Sequence, residues 1–154
     1  MRSFGLSAPL LVLCALVGVL AGAGGYTAHY GEATAYLSDE PSACTNCHVM
    51  REHFDGWQKA SHHTVATCND CHLPQGFVKK YLAKAKNGWN HSTAFTLQKF
   101  HEPIRIHGEN AAILEANCTR CHEALVGHLA PTSRPGEPFG CVRCHAAVGH
   151  GPTQ

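Results

Sequence analysis

The 154-residue sequence predicts a mainly α protein with much irregular chain, in which one N-terminal transmembrane helix is followed by a compact second domain. Three observations carry that prediction. An uncharged apolar run occupies residues 8–25. The pentapeptide Cys-x-x-Cys-His occurs four times. Between its second and third copies lies a basic amphipathic stretch, residues 77–91. Aromatic residues make up only 8% of the chain, so most of the apolar interior of the second domain must come from whatever the four pentapeptides hold.

Residues 8–25 contain no charged side chain, and their length is about the minimum for a membrane-spanning helix. Ala21-Gly22-Ala23 resembles a small-residue cleavage site. The apolar run is nevertheless long for a signal peptide, and Tyr26 and Tyr30 suit an interfacial aromatic belt. The reading is an uncleaved anchor over residues 1–25, with Arg2 on the cytoplasmic side. Residues 26–154 then form a domain on the outer face, in the periplasm of a bacterium whose inner membrane the chain crosses once. Cys14 within the run is a small lipid-facing apolar residue.

The four repeats are Cys44-Thr45-Asn46-Cys47-His48, Cys68-Asn69-Asp70-Cys71-His72, Cys118-Thr119-Arg120-Cys121-His122 and Cys141-Val142-Arg143-Cys144-His145. This is the attachment motif of a c-type haem. Two thiols add to the haem vinyl groups, and the next residue offers an imidazole to the iron. Paired Cys-x-x-Cys also builds zinc ribbons, but zinc gives no reason for a histidine after every pair, and neither does a disulfide framework. The chemistry implied is four covalently bound haem c groups. Cys44, Cys47, Cys68, Cys71, Cys118, Cys121, Cys141 and Cys144 are the attachment points. The first cysteines of successive motifs are 24, 50 and 23 residues apart, a spacing of two di-haem modules, 44–72 and 118–145. A formal net charge of +1 gives no support to a nucleic-acid partner.

In the last three motifs the simplest axial ligands are His72, His122 and His145. Second ligands must come from elsewhere; by pattern the candidates include His53, His62, His63, His91, His101, His107, His128 and His150, which spacing alone cannot pair. The first motif differs in carrying Met50 two residues past its histidine.

The rest of the chain is read from periodicity and breakers. A short helix is expected near residues 52–59. Pro74 and Gly76 then interrupt the chain. In residues 77–91, Phe77, Val78, Tyr81, Leu82, Ala85 and Trp89 fall on one arc at 100° per residue. Lys79 and Lys86 lie on the far side. Lys84 sits at the margin of the arc and shares a stripe with Gly88 and His91. By pattern, Lys84 is equally a snorkelling side chain on a solvated face or a functional group. Irregular chain is expected over 92–108, a helix over 109–117, and a proline-rich loop over 127–140.

These features resemble the small subunits of cytochrome c nitrite reductases, within the NapC/NirT group of membrane-anchored quinol dehydrogenases. The resemblance rests on the anchor, the four motifs at these spacings, Cys-x-x-Cys-His-x-Met in the first motif and Cys-Asn-Asp-Cys-His in the second. It implies that Met50, not His48, binds the first iron, and that His72 with Lys84 binds the second. It further implies His122 with His150 for the third and His145 with His63 for the fourth, His62 being the rival to His63. His91 stands where the family can carry an aspartate beside the open side of the first haem, so His91 and Lys84 are the quinol-site candidates. The implied activity is oxidation of menaquinol at the membrane surface. Electrons pass on to a periplasmic pentahaem nitrite reductase catalytic subunit, which makes ammonium from nitrite; this chain does not reduce nitrite itself. The alternatives are a dehydrogenase of the same group serving another periplasmic reductase, and a soluble tetrahaem carrier.

Overall fold

A computed structural model describes residues 7–127 and 140–151. Among them there is no β-strand; the regular structure is helical. The chain divides into two compact units, one up to Ala35 and one from Tyr36 onward.

In the first unit, helix α1 runs Ala8–Tyr30. Pro9 lies in its first turn, where a missing N–H costs nothing. At 1.5 Å per residue the helix is about 35 Å long, enough to cross a bilayer core of about 30 Å. Its most apolar 18 residues have a mean hydropathy of 2.1, and none of that window is buried against protein. A helix apolar on every side with no protein around it is suited to lipid. Tyr26 and Tyr30 stack near its C-terminal end with ring centroids 6.2 Å apart.

The second unit contains α2 (Arg51–Gln58), α3 (Cys68–His72), α4 (Phe77–Thr96), α5 (Gly108–Val126) and α6 (Cys141–Cys144), with short 3-10 turns before α2. Two helices are longer than the sequence pattern predicts. α4 continues five residues past His91, because no glycine or proline follows; the Thr93 hydroxyl bonds back to the Trp89 carbonyl at 2.8 Å. It ends before Gln98, whose φ of 54° cannot continue a right-handed helix. α5 runs through the third haem motif and kinks at His122 (φ −105°, ψ 16°). Most of the loop expected over 127–140 lies outside the described residues, as do Arg2 and His128.

Leu73 is the sole buried hydrophobic residue among those described, and no large side chain is fully buried. A chain of this size ordinarily hides about two thirds of its surface around an apolar core. Polar clamps join the motif-bearing segments of this unit.

Candidate functional site

The clamps run from motif to motif. The Cys44 and Cys68 sulfurs lie within contact of each other. The first and second motifs are therefore adjacent. Asn117, the residue before Cys118, is buried and donates from Nδ2 to the Cys71 carbonyl at 3.0 Å and the Leu73 carbonyl at 2.9 Å. This holds the second motif on the third, and α3 accordingly packs on α5. Glu115, two residues earlier, accepts the backbone N–H of Cys141 at 2.9 Å and of Val142 at 3.3 Å. Its carboxylate sits at the N-terminus of α6, where free N–H groups and the helix dipole favour an anion, and it raises the Cys141 thiol to about 11. The motifs are thus joined in the order first, second, third, fourth.

Three motifs are helical. Cysteines three apart on a helical turn share a face, as two thioether bonds to one porphyrin edge require. In the second motif, the Asp70 carboxylate accepts the Thr67 N–H (2.8 Å) and hydroxyl (2.7 Å), fixing the start of α3. The first motif is different. Cys47 is extended (φ −88°, ψ 112°) between two 3-10 turns, Pro41–Asn46 and His48–Met50. His48 is exposed, whereas Met50 is half-buried.

Around the first motif lies the stripe of α4 that the sequence singled out. Lys84 is buried, at 8% exposure. Its Nζ donates to the Ser38 carbonyl at 2.6 Å and to Asp39 Oδ1 at 3.0 Å. Gly88 packs on the Tyr36 ring; a Cβ there would lie 3.1 Å from Tyr36 Cε1. Tyr36 is raised by burial and then by Cys47 and Cys44, which places it beside the first pair of thiols. Lys80 pairs with the other Asp39 oxygen, and Asn69 Nδ2 reaches Oδ1 at 2.8 Å. Hydrogen bonds from Lys80 and then Lys84 hold Asp39 at about 2. Desolvation, followed by His107, lowers His91, so its imidazole is neutral near pH 7.

The face that α4 buries is not its apolar arc. Phe77, Val78, Leu82 and Trp89 are all more than 60% exposed, while the Lys84–Gly88 side packs inward. Asp39, Asn117 and Glu115 are the residues that sequence reasoning missed. The only local signal was the position of the last two, just ahead of Cys118.

The second-ligand candidates are placed as follows. The His150 ring lies 4.8 Å from His53 and stacks 6.4 Å from His72 at 13°. His62 is 6.1 Å from His122, with its Nδ1 3.2 Å from the Val148 carbonyl. His63 packs edge-on to Trp57 at 4.7 Å. His101, His107 and His145 are exposed. None of these ring contacts is a pairing that the resemblance implies. Two imidazole nitrogens, His53 Nδ1 and His150 Nδ1, are buried with no hydrogen-bond partner. Such orphaned groups cost about 1–3 kcal/mol each. Free thiols in the four pairs, orphaned buried imidazoles and a missing apolar core all fit covalently held haem.

Fold and site together define a c-type cytochrome with a candidate membrane anchor. A family model for the NapC/NirT cytochrome c family, N-terminal region, matches residues 6–124. The chain is 39% identical to a cytochrome c-type protein NrfH of Wolinella succinogenes, covering 82% of this chain and 77% of that protein. It is 30% identical to the cytochrome c nitrite reductase subunit NrfH of Nitratidesulfovibrio vulgaris, over 73% and 69% of the two chains. A putative tetrahaem cytochrome c-type protein of Allochromatium vinosum is also 30% identical, over 70% and 71%. In structure, the chain matches one from the crystal structure of a cytochrome c nitrite reductase NrfHA complex bound to the inhibitor HQNO. The TM-score is 0.60 at 28% identity, covering 92% of this chain and 90% of that one. This protein belongs to the NapC/NirT cytochrome c family.

Proposed function

We propose that this chain is the quinol-oxidising electron-transfer subunit of a nitrite reductase complex. Menaquinol is oxidised beside the first haem motif, and its electrons leave by way of the other motifs to a pentahaem nitrite reductase catalytic subunit. The chain anchors by α1 in the inner membrane with its haem unit on the periplasmic side. The observation that carries this reading is the serial linkage of the four motifs through Cys44–Cys68, Asn117–Cys71 and Glu115–Cys141. A one-dimensional array of this kind suits a conduit with an entry and an exit. The NrfH relatives, the NrfHA complex and its inhibitor HQNO support the partner and the quinol site, and the tetrahaem relative supports the number four.

When bound, the haems take up and pass on single electrons. The residues proposed to hold the irons are Met50 for the first, His72 and Lys84 for the second, His122 and His150 for the third, and His145 and His63 for the fourth. A thioether from Met50 raises the potential of its iron, which suits the point of entry. The Cys47 break in the first motif turns His48 outward and Met50 inward, in keeping with that role. Each quinol sheds two protons, and a neutral His91, on the same helix stripe as Lys84, is the proposed acceptor of one. The exposed apolar arc of α4, flanked by Lys79 and Lys86, is suited to the headgroup zone of the membrane.

The test is haem reduction by a menaquinol analogue in the purified full-length protein, with and without the reductase, comparing wild type with Met50→Ala. The expected result is reduction in wild type that Met50→Ala slows or blocks. Reduction of wild type by a soluble donor alone would replace the reading with a plain electron carrier.

A further inference from the structure

The segment from Tyr36 to Asp39 is strapped along one side of α4. The Tyr36 ring packs on Gly88, where a Cβ would lie 3.1 Å from Cε1 and 3.4 Å from Cδ1. The Leu37 carbonyl accepts the Tyr81 hydroxyl at 3.3 Å, and the Ser38 carbonyl accepts Lys84 Nζ at 2.6 Å. Asp39 pairs with Lys80 and, at 3.0 Å, with Lys84. Each residue of the strap therefore meets α4, over about two turns from Lys80 to Gly88.

The strap leads into the first haem motif, whose Cys44 follows Asp39 by five residues. Tyr36 also stands beside that motif: burial first, then Cys47 and Cys44, raise its phenol. One side chain thus reaches both the first motif and the stripe of α4 that carries Gly88 and His91. The other three links of the strap are polar bonds. The Tyr36–Gly88 link is set by shape alone, and any side chain at position 88 would crowd the ring. Because Tyr36 is 41% exposed, the ring has room to swing outward, so a small group at 88 moves it without unfolding the unit.

We propose that the Tyr36 ring, seated on Gly88, sets the spacing between the first haem motif and α4 and so shapes the site for a naphthoquinol. Tyr36 is a positioning residue for that substrate. The inference rests on the quinol site placed beside the first motif above.

The experiment uses the full-length, haem-loaded protein in detergent. HQNO is titrated as the probe of the quinol site, haem reduction by a menaquinol analogue gives KM and kcat, and circular dichroism gives the melting midpoint. Wild type is expected to bind HQNO. Gly88→Ala and Tyr36→Ala are each expected to raise the HQNO dissociation constant and KM about tenfold, in the usual range for residues in direct contact, with kcat held and the Gly88→Ala midpoint unchanged. Tyr36→Phe keeps the ring and binds as wild type. The double variant binds no more weakly than Tyr36→Ala alone, because the added methyl group then meets no ring. Unchanged HQNO binding in Tyr36→Ala overturns the proposal and leaves the quinol site standing, as does an additive loss in the double variant. If Tyr36→Ala fails to mature, unchanged binding in Gly88→Ala overturns it in the same way. Absence of HQNO binding in wild type overturns the quinol site, and the positioning role with it.

Discussion

Asn117→Ala removes the clamp between the second and third motifs without touching a cysteine or a histidine. The Asn117 side chain donates to the carbonyls of Cys71 and Leu73, which flank His72 in sequence. Both bonds are near ideal length, and Leu73 is itself buried. A net contribution of about 0.5–1.5 kcal/mol per hydrogen bond sets the lower bound, and the fuller cost of a buried carbonyl left unpaired is about 1–3 kcal/mol. The Leu73 carbonyl has no route to water and takes the fuller cost; the Cys71 carbonyl is half-buried and recovers part of its loss from solvent. The sum is about 2–4 kcal/mol. For a chain of this size that lowers the melting midpoint by about 4–16 °C. Asn117→Asp keeps the shape but turns an acceptor toward two carbonyls, so its loss is larger. The assay is helix melting by circular dichroism at one scan rate, in the same detergent for all variants. A midpoint for Asn117→Ala within 1 °C of wild type refutes the reasoning. It would mean that the covalent haems, not the polar clamp, hold α3 on α5.

Three other perturbations test separate parts of the structure. Gly56→Ala places a Cβ 2.1 Å from the His150 carbonyl oxygen, a backbone atom that cannot swing away; overpacking of this kind costs about 1–3 kcal/mol, and a change in the ferric low-spin signals is expected as His150 is displaced. Asp39 is held at about 2, below its ordinary 3.8, so the stability it contributes is present above about pH 3.8 and is lost as pH falls toward 2. Acid titration of Asp39→Asn, followed by circular dichroism, should lack that part of the transition. His91 titrates below its ordinary 6.5, so quinol oxidation should persist with the acceptor neutral down to that pH and fall at more acid values. His91→Gln should lower the rate throughout and remove the acid limb from the pH profile of haem reduction.

The chemistry of this chain was legible in sequence because covalent haem attachment imposes a local pattern: two thiols and an imidazole within five residues. The existence of α1 was legible for a similar reason, since an unbroken uncharged run needs no tertiary partner to be recognised, although the helix continues to Tyr30, past the apolar run that ends at Gly25. The clamps were not, because each joins residues far apart in the chain: Asn117 to Cys71, Glu115 to Cys141, Lys84 to Asp39. No periodicity encodes a bond of that range.

The most instructive case is α4. Its hydrophobic period predicts a helix, which the structure shows, and places Lys84 and Gly88 on one stripe, the side that packs inward. The usual rule assumes an apolar core able to receive the apolar arc. Here only Leu73 is a buried hydrophobe among the described residues, so the apolar interior that an arc of this kind would enter has to come from the haems rather than from side chains. The polar stripe wins the interior because it brings its own compensation. Lys84 finds a carbonyl and a carboxylate, and Gly88 supplies the space that the Tyr36 ring needs. The exposed arc of Phe77, Val78, Leu82 and Trp89 is the face proposed above for the headgroup zone.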